Sequence, residues 1–124
     1  MFEHILLDVT DLQRSRPIYE AALGALDLTV QQDSAKEIGF GPTKPDTKLW
    51  LREGDSPASG VHLAFTAPSR EAVDLFHSNA VAAGASDNGR PGIREQYHAG
   101  YYAAYFLDPD GNNIEAVRVE SIPG

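Results

Sequence analysis

The 124-residue sequence contains no cysteine, and that single absence removes disulfides, thiolate nucleophiles and zinc–thiolate centres together. Basic residues are also scarce. Ten Lys and Arg stand against eighteen Asp and Glu, a formal net charge of −8, and they are scattered without a stripe, so no nucleic-acid partner is expected. No long apolar run is present either. The opening MFEHILLDVTD lacks a basic stretch and its hydrophobic segment is broken by Asp8, so neither a signal peptide nor a membrane span is expected, and a cytoplasmic location is. What is present is 42% hydrophobic residues, enough for an ordinary core in one domain over residues 1–124.

Turn signals divide that domain into two halves. Residues 2–9 read as a strand, Asp11 as the N-cap of a helix from about Leu12 to Leu23 with Pro17 inside it, and 26–32, 36–41 and 47–53 as three further strands. The stretch GDSPASG (54–60) is a linker between module one (1–53) and module two (61–120). The order then starts again: a strand at 60–67, Ser69 as N-cap, helical spacing through 70–84 closed by Gly84, a strand near 85–90, the loop NGRPGIREQYHAG, and two strands, YYAAYFLD and NNIEAVRV. Each half reads β-α-β-β-β, and His4 and His62 each lie seven residues before the helix cap of their half. The expected fold class is therefore α+β, two paired β-α-β-β-β modules packed against each other, with function sought where they meet.

Chemistry concentrates at the end of the chain. In DPDGNNIEAV the turn DPDG is followed by a short apolar run that contains one carboxylate, Glu115. A calcium loop would need Gly at its sixth position, but here Gly111 is fourth, so the segment reads as a turn. Glu115 either faces solvent on an edge strand or, framed by apolar neighbours and buried, needs a partner. Strand alternation puts His4, Leu6 and Asp8 on one face of the first strand and His62, Ala64 and Thr66 on one face of its counterpart. Two imidazoles and a carboxylate, His4, His62 and Glu115, make a facial triad for a divalent metal with several positions open, the ion being Fe, Mn, Ni or Zn. QYHAGYY gathers Tyr97, His98, Tyr101 and Tyr102 before a strand. They are placed either for packing and loop hydrogen bonds or, for His98 and Tyr101, for proton handling, with Tyr97 and Tyr102 stacking on a small ring.

HILLDVTDLQRS…Y…LG at the start, HLAFTA after the linker and the closing DPDGNNIE resemble the vicinal oxygen chelate superfamily of glyoxalases, bleomycin-resistance proteins and extradiol dioxygenases. The resemblance implies that the paired sheets curl around a shared cleft, with metal ligands at His4, His62 and Glu115, a small-molecule substrate with two neighbouring oxygens, and a homodimer. It also implies two departures from glyoxalase I. Trp50 stands where that enzyme has a fourth ligand, a Glu, with Glu53 a poor substitute, and Asp8 stands where it has a glutathione-binding Arg. With Asp8 and Trp50 on the substrate side and no cationic group expected there, a neutral or weakly acidic ligand is expected rather than a glutathione adduct. The alternative is a metal-free protein that sequesters a small molecule, as bleomycin-resistance proteins do.

Overall fold

A computed structural model of the chain describes residues 1–120. Strand β1 (Ile5–Val9) buries Leu7 and Val9 on one side and leaves Leu6 and Asp8 on the other. Helix α1 (Leu12–Gly24) begins where Asp11 accepts hydrogen bonds from the amides of Gln13 and Arg14, a cap worth about 1 kcal/mol. Glu53 adds a second tie by accepting from the Leu12 amide at 2.9 Å. The helix carries Pro17 in its interior and buries Ile18, Tyr19, Ala22 and Leu23. Asp27, at φ 62°, turns the chain left-handed into β2 (Thr29–Asp33), which starts three residues later than its apolar pattern suggests. β3 (Glu37–Gly41) and β4 (Leu49–Glu53) finish the first half.

The second half repeats the plan with β5 (His62–Thr66), α2 (Arg70–Ala82), β6 (Ser86–Ile93), β7 (Tyr101–Leu107) and β8 (Asn113–Val119). Ser69 caps α2 through the Ala72 amide, and Gly84, at φ 116°, turns the chain out of the helix end. The two mixed sheets have matching orders, β1-β4-β3-β2 and β5-β8-β7-β6, each with a parallel pair at one edge. The repeat inferred from the two halves is thus present in the strand order. β6 is longer than expected, because NGRPGI continues it instead of forming a loop. Pro91 is accommodated there because β6 is an outer edge strand with register shifts at 87/89 and 89/92, where a missing ladder donor costs little. β2, the other outer edge, is also bulged, between Val30 and Gln32.

Each helix covers one face of its own sheet, and α1 packs against α2. A single buried cluster therefore runs from Leu7, Tyr19, Phe40 and Leu51 to Val73, Phe76, Phe106 and Ile114 across both halves. Tyr19 meets Phe106 edge-on at 6.0 Å. Its hydroxyl donates to Asp108 Oδ2 at 2.6 Å, inside the core. Asp108, 5% exposed, also accepts from the amides of Asp110 and Asn112 and from Asn112 Nδ2. Asn112 in turn donates to the Ala58 carbonyl and accepts from the Val61 amide, so the DPDGNN turn fastens the linker to both halves. Gly111, at φ 86°, supplies the left-handed residue that turn needs. The face of each sheet turned away from its helix carries the polar candidates.

Candidate functional site

On the helix-free face of the second sheet, β8 lies between β5 and β7, with Ala64 and Tyr105 in register beside Glu115. Glu115 is 2% exposed, and both of its oxygens are held: His62 Nε2 lies 2.7 Å from Oε1, and the Tyr101 hydroxyl donates to Oε2 at 2.5 Å. His62 is half exposed and sits edge-on to the Tyr105 ring, 6.1 Å between centroids. The sequence question of what tolerates an acid in an apolar run thus has a local answer. A buried carboxylate persists when its lone pairs are used, and here two side chains use them.

The tyrosines respond to that charge. Burial first, and then the adjoining Glu115 carboxylate, holds the Tyr101 phenol well above its ordinary value. Burial and the same carboxylate push Tyr105 up to about 12. Both rings therefore stay protonated near neutrality and act as hydrogen-bond donors, not phenolates. Tyr97, exposed, packs against Tyr101 at 5.4 Å. Tyr102, one residue along the strand, points the other way: its hydroxyl donates to Asp74 on α2 and Arg70 lies over its ring, so it faces the helix and not Glu115. His98 is exposed in the turn before β7; its carbonyl accepts from the Tyr101 amide at 3.2 Å and its Nδ1 lies against the Ala99 carbonyl at 2.7 Å, while its ring makes no hydrogen bond to Glu115, His62 or Tyr101.

The first sheet presents the repeat-related surface. His4 stands just before β1, exposed, with Nδ1 2.6 Å from its neighbour Glu3. One chain does not gather it to His62 and Glu115: among the described residues no group of three His, Cys, Asp or Glu is placed to hold a metal ion. Trp50 lies over Gly39 so closely that a Cβ on that glycine would come within 2.9 Å of the ring. It borders a small cavity of about 120 Å³ with Gln32, Asp33, Ser34 and Glu37. Glu53 is committed elsewhere, to the Leu12 amide and to Lys36 Nζ. Asp8 is not a bare acid, because Arg52, directly opposite on β4, donates to it at 3.1 Å. A second cation, Arg94, lies with its guanidinium carbon 5.5 Å from the Tyr105 ring centroid.

Arg52, Arg94 and Tyr105 are therefore the site-face residues that sequence reasoning passed over. Tyr105 was findable from alternation alone, since 101, 103 and 105 share a face. Arg94 was not, because it falls in the stretch that reads as loop. A larger groove of about 620 Å³ lies at the seam between the two halves, walled by Phe2, Ile5, Leu28, Leu63 and Phe65.

A family model described as "Glyoxalase/Bleomycin resistance protein/Dioxygenase superfamily" matches residues 1–116. A solved glyoxalase/bleomycin resistance protein from Albidiferax ferrireducens T118 is 30% identical, with a TM-score of 0.81 over 94% of this chain and 98% of that one. The fosfomycin resistance protein FosX from Listeria monocytogenes is 24% identical (TM-score 0.67; 94% and 91% covered), and a lactoylglutathione lyase from Agrobacterium tumefaciens 18% identical (TM-score 0.65; 94% and 92%). At those two identities the likeness is one of fold. Comparison with curated proteins finds no match.

Proposed function

The chain belongs to the glyoxalase/bleomycin resistance protein/dioxygenase superfamily, and from that premise we propose that it is a divalent-metal-dependent enzyme acting on a small substrate with two neighbouring oxygens. The observation that carries this reading is Glu115, a nearly inaccessible carboxylate on the open face of a sheet with an imidazole nitrogen 2.7 Å from it. An imidazole and a carboxylate suit Mn, Fe, Ni or Zn, and His62 Nε2 and Glu115 Oε1 are adjacent enough to serve one ion. They fit as two ligands of a set. The third is His4, at the matching position of the other half, delivered by a second copy of the chain in a homodimer. The exposed Met1, Phe2 and Leu6 and the apolar groove beside them give that copy a surface to cover.

When bound, the ion supplies Lewis-acid polarisation of the two substrate oxygens. The chain's own residues do the rest. Tyr101 fixes Glu115 by a hydrogen bond and keeps its proton, so it orients the carboxylate. His62 and Tyr105 wall the site and Tyr97 packs outward on Tyr101, with His98 on the turn before β7 as the proton-handling candidate. Asp8 and Trp50 line the surface of the opposing module. Trp50 offers no ligand and Glu53 is tied to Lys36 and the α1 terminus, so little or no glutathione hemithioacetal isomerisation is expected.

Calorimetric titration of metal-free protein with Mn(II), Ni(II), Zn(II) and Fe(II) tests the reading. One site per chain is expected, abolished by His62→Ala or Glu115→Gln and weakened at least tenfold by His4→Ala. Absence of any site, with small-molecule binding intact, would favour sequestration of the bleomycin-resistance type.

A further inference from the structure

Beside Glu115 the sheet face has an unusual shelf. Gly89 of β6 is in register with Tyr105, and Gly92 with Ala103. A Cβ on Gly89 would sit 2.6 Å from Tyr105 Cδ1 and 3.5 Å from Arg94 Nη2, and one on Gly92 would sit 2.9 Å from Arg94 Nη1. The space those side chains would fill holds the Arg94 guanidinium, laid over Tyr105. Its backbone is anchored at both ends: the Arg94 amide donates to the Tyr101 carbonyl at 2.7 Å, and its carbonyl accepts from the Tyr97 amide. Nη2 donates to the Arg90 carbonyl at 2.6 Å.

The charge on that guanidinium is uncommitted. Among the described residues Arg16, Arg52, Arg70 and Arg118 each approach a carboxylate, whereas no such pair includes Arg94. Glu115 does not cancel it, being engaged by His62 and Tyr101. A guanidinium is weakly hydrated, stacks on an aromatic face and presents a planar fork that matches a carboxylate. We infer that Arg94 binds a carboxylate on the substrate, remote from the two oxygens that meet Glu115, so that the substrate class is a small carboxylic acid carrying a separate vicinal-oxygen group. Neighbouring strands are ~4.8 Å apart, and Arg94, just past the end of β6, lies two strand spacings from Glu115 on β8, roughly 10 Å between backbones, which the two side chains and a single substituted six-membered ring between them span. This narrows the neutral or weakly acidic ligand expected from the sequence to one that carries a carboxylate, because Asp8 is paired with Arg52 and the site face holds Arg94. The vicinal-oxygen end of the inference rests on the metal-enzyme reading; the carboxylate end does not.

The test compares catechol with 3,4-dihydroxybenzoate, which share the vicinal oxygens and differ by the remote carboxylate, using calorimetry on protein with and without Mn(II). The wild-type protein should bind the carboxylate-bearing probe at least about tenfold more tightly, the scale of a charge-assisted bidentate pair. In Arg94→Met that ratio falls close to one; in Arg94→Lys part of it survives, and Arg90→Met, which removes a nearby surface charge, leaves it in place. A ratio near one in the wild-type protein, a ratio undiminished in Arg94→Met, or no binding of either probe overturns the inference. If Mn(II) strengthens neither probe while the ratio still depends on Arg94, the metal reading fails and the carboxylate site stands. If Mn(II) strengthens both and the ratio ignores Arg94, the opposite holds.

Discussion

Replacing Tyr101 by Phe isolates one bond at the centre of the site. The ring stays to pack on Tyr97, so no cavity opens, and the hydroxyl that leaves is the donor to Glu115 Oε2. Two effects compete. Losing a partly buried hydroxyl spares the folded state some desolvation, but Glu115, 2% exposed, is left with His62 as its one side-chain partner. Hydrogen bonds to charged groups contribute about 1.5–3 kcal/mol, and the desolvation saved is smaller because Tyr101 is only half-buried, so a net loss of roughly 1–2.5 kcal/mol is expected. With a urea m-value near 2 kcal/mol/M, the midpoint of metal-free protein should fall by about 0.5–1.2 M. The double-mutant cycle sharpens this: against Glu115→Gln, where the carboxylate charge is gone, Tyr101→Phe should cost less by about 1 kcal/mol or more. A midpoint unchanged in Tyr101→Phe, or equal losses in the two backgrounds, would refute the assignment of Tyr101 as the group that holds Glu115.

Tyr19→Phe removes one of four donors to buried Asp108 and should lower stability by about 1.5–3 kcal/mol, with Asp108→Ala costing more because it also strands Asn112; chemical denaturation of the three proteins checks the order. Alkaline stability gives a third check. Tyr105 holds its proton more tightly folded than unfolded, so its contribution is complete below its ordinary value near 10 and is lost as pH rises through about 12; the wild-type protein should lose stability over that window more steeply than Tyr105→Phe. Sedimentation at micromolar concentration should show a dimer, and Leu6→Glu, placing charge on the exposed face of β1, should shift it toward monomer.

Much of this architecture is legible in the sequence because the cues are local. Asp11 and Ser69 start helices by hydrogen bonds within three residues, and Gly84 and Gly111 provide the left-handed turns their positions demand. The doubled β-α-β-β-β order follows from such signals. Pairing Glu115 with His62 is also within reach, since alternation and the repeat put both on one face. What alternation cannot show is which residue sits opposite on a neighbouring strand. Arg52 neutralises Asp8 across a parallel pair separated by 44 positions, and no single segment reveals that. Pro91 misleads for a related reason: it reads as a strand breaker, and only its place at a sheet edge makes it harmless. Tyr102 was drawn toward the site by its neighbours in sequence, but strand geometry turned it to α2. His4 shares its repeat position with His62, but the structure leaves it exposed beside Glu3 and apart from Glu115.

The distribution of bulges has a consequence for how copies of this protein meet. Each sheet has two edges, and in both the outer one, β2 or β6, is dislocated by register shifts, with Pro91 adding a missing donor on β6. The inner edges, β1 and β5, keep an uninterrupted parallel register with their partners. A bulged, proline-bearing edge is a poor template for another chain's backbone, whereas a regular one is a good template. Open-ended growth of sheet on sheet is thereby blocked at the outer edges of both modules, and the edges left able to accept a strand are the ones beside His4 and His62. Backbone pairing between copies is thereby left to β1 and β5, and it ends at a finite pair when both edges meet the same partner about a twofold axis.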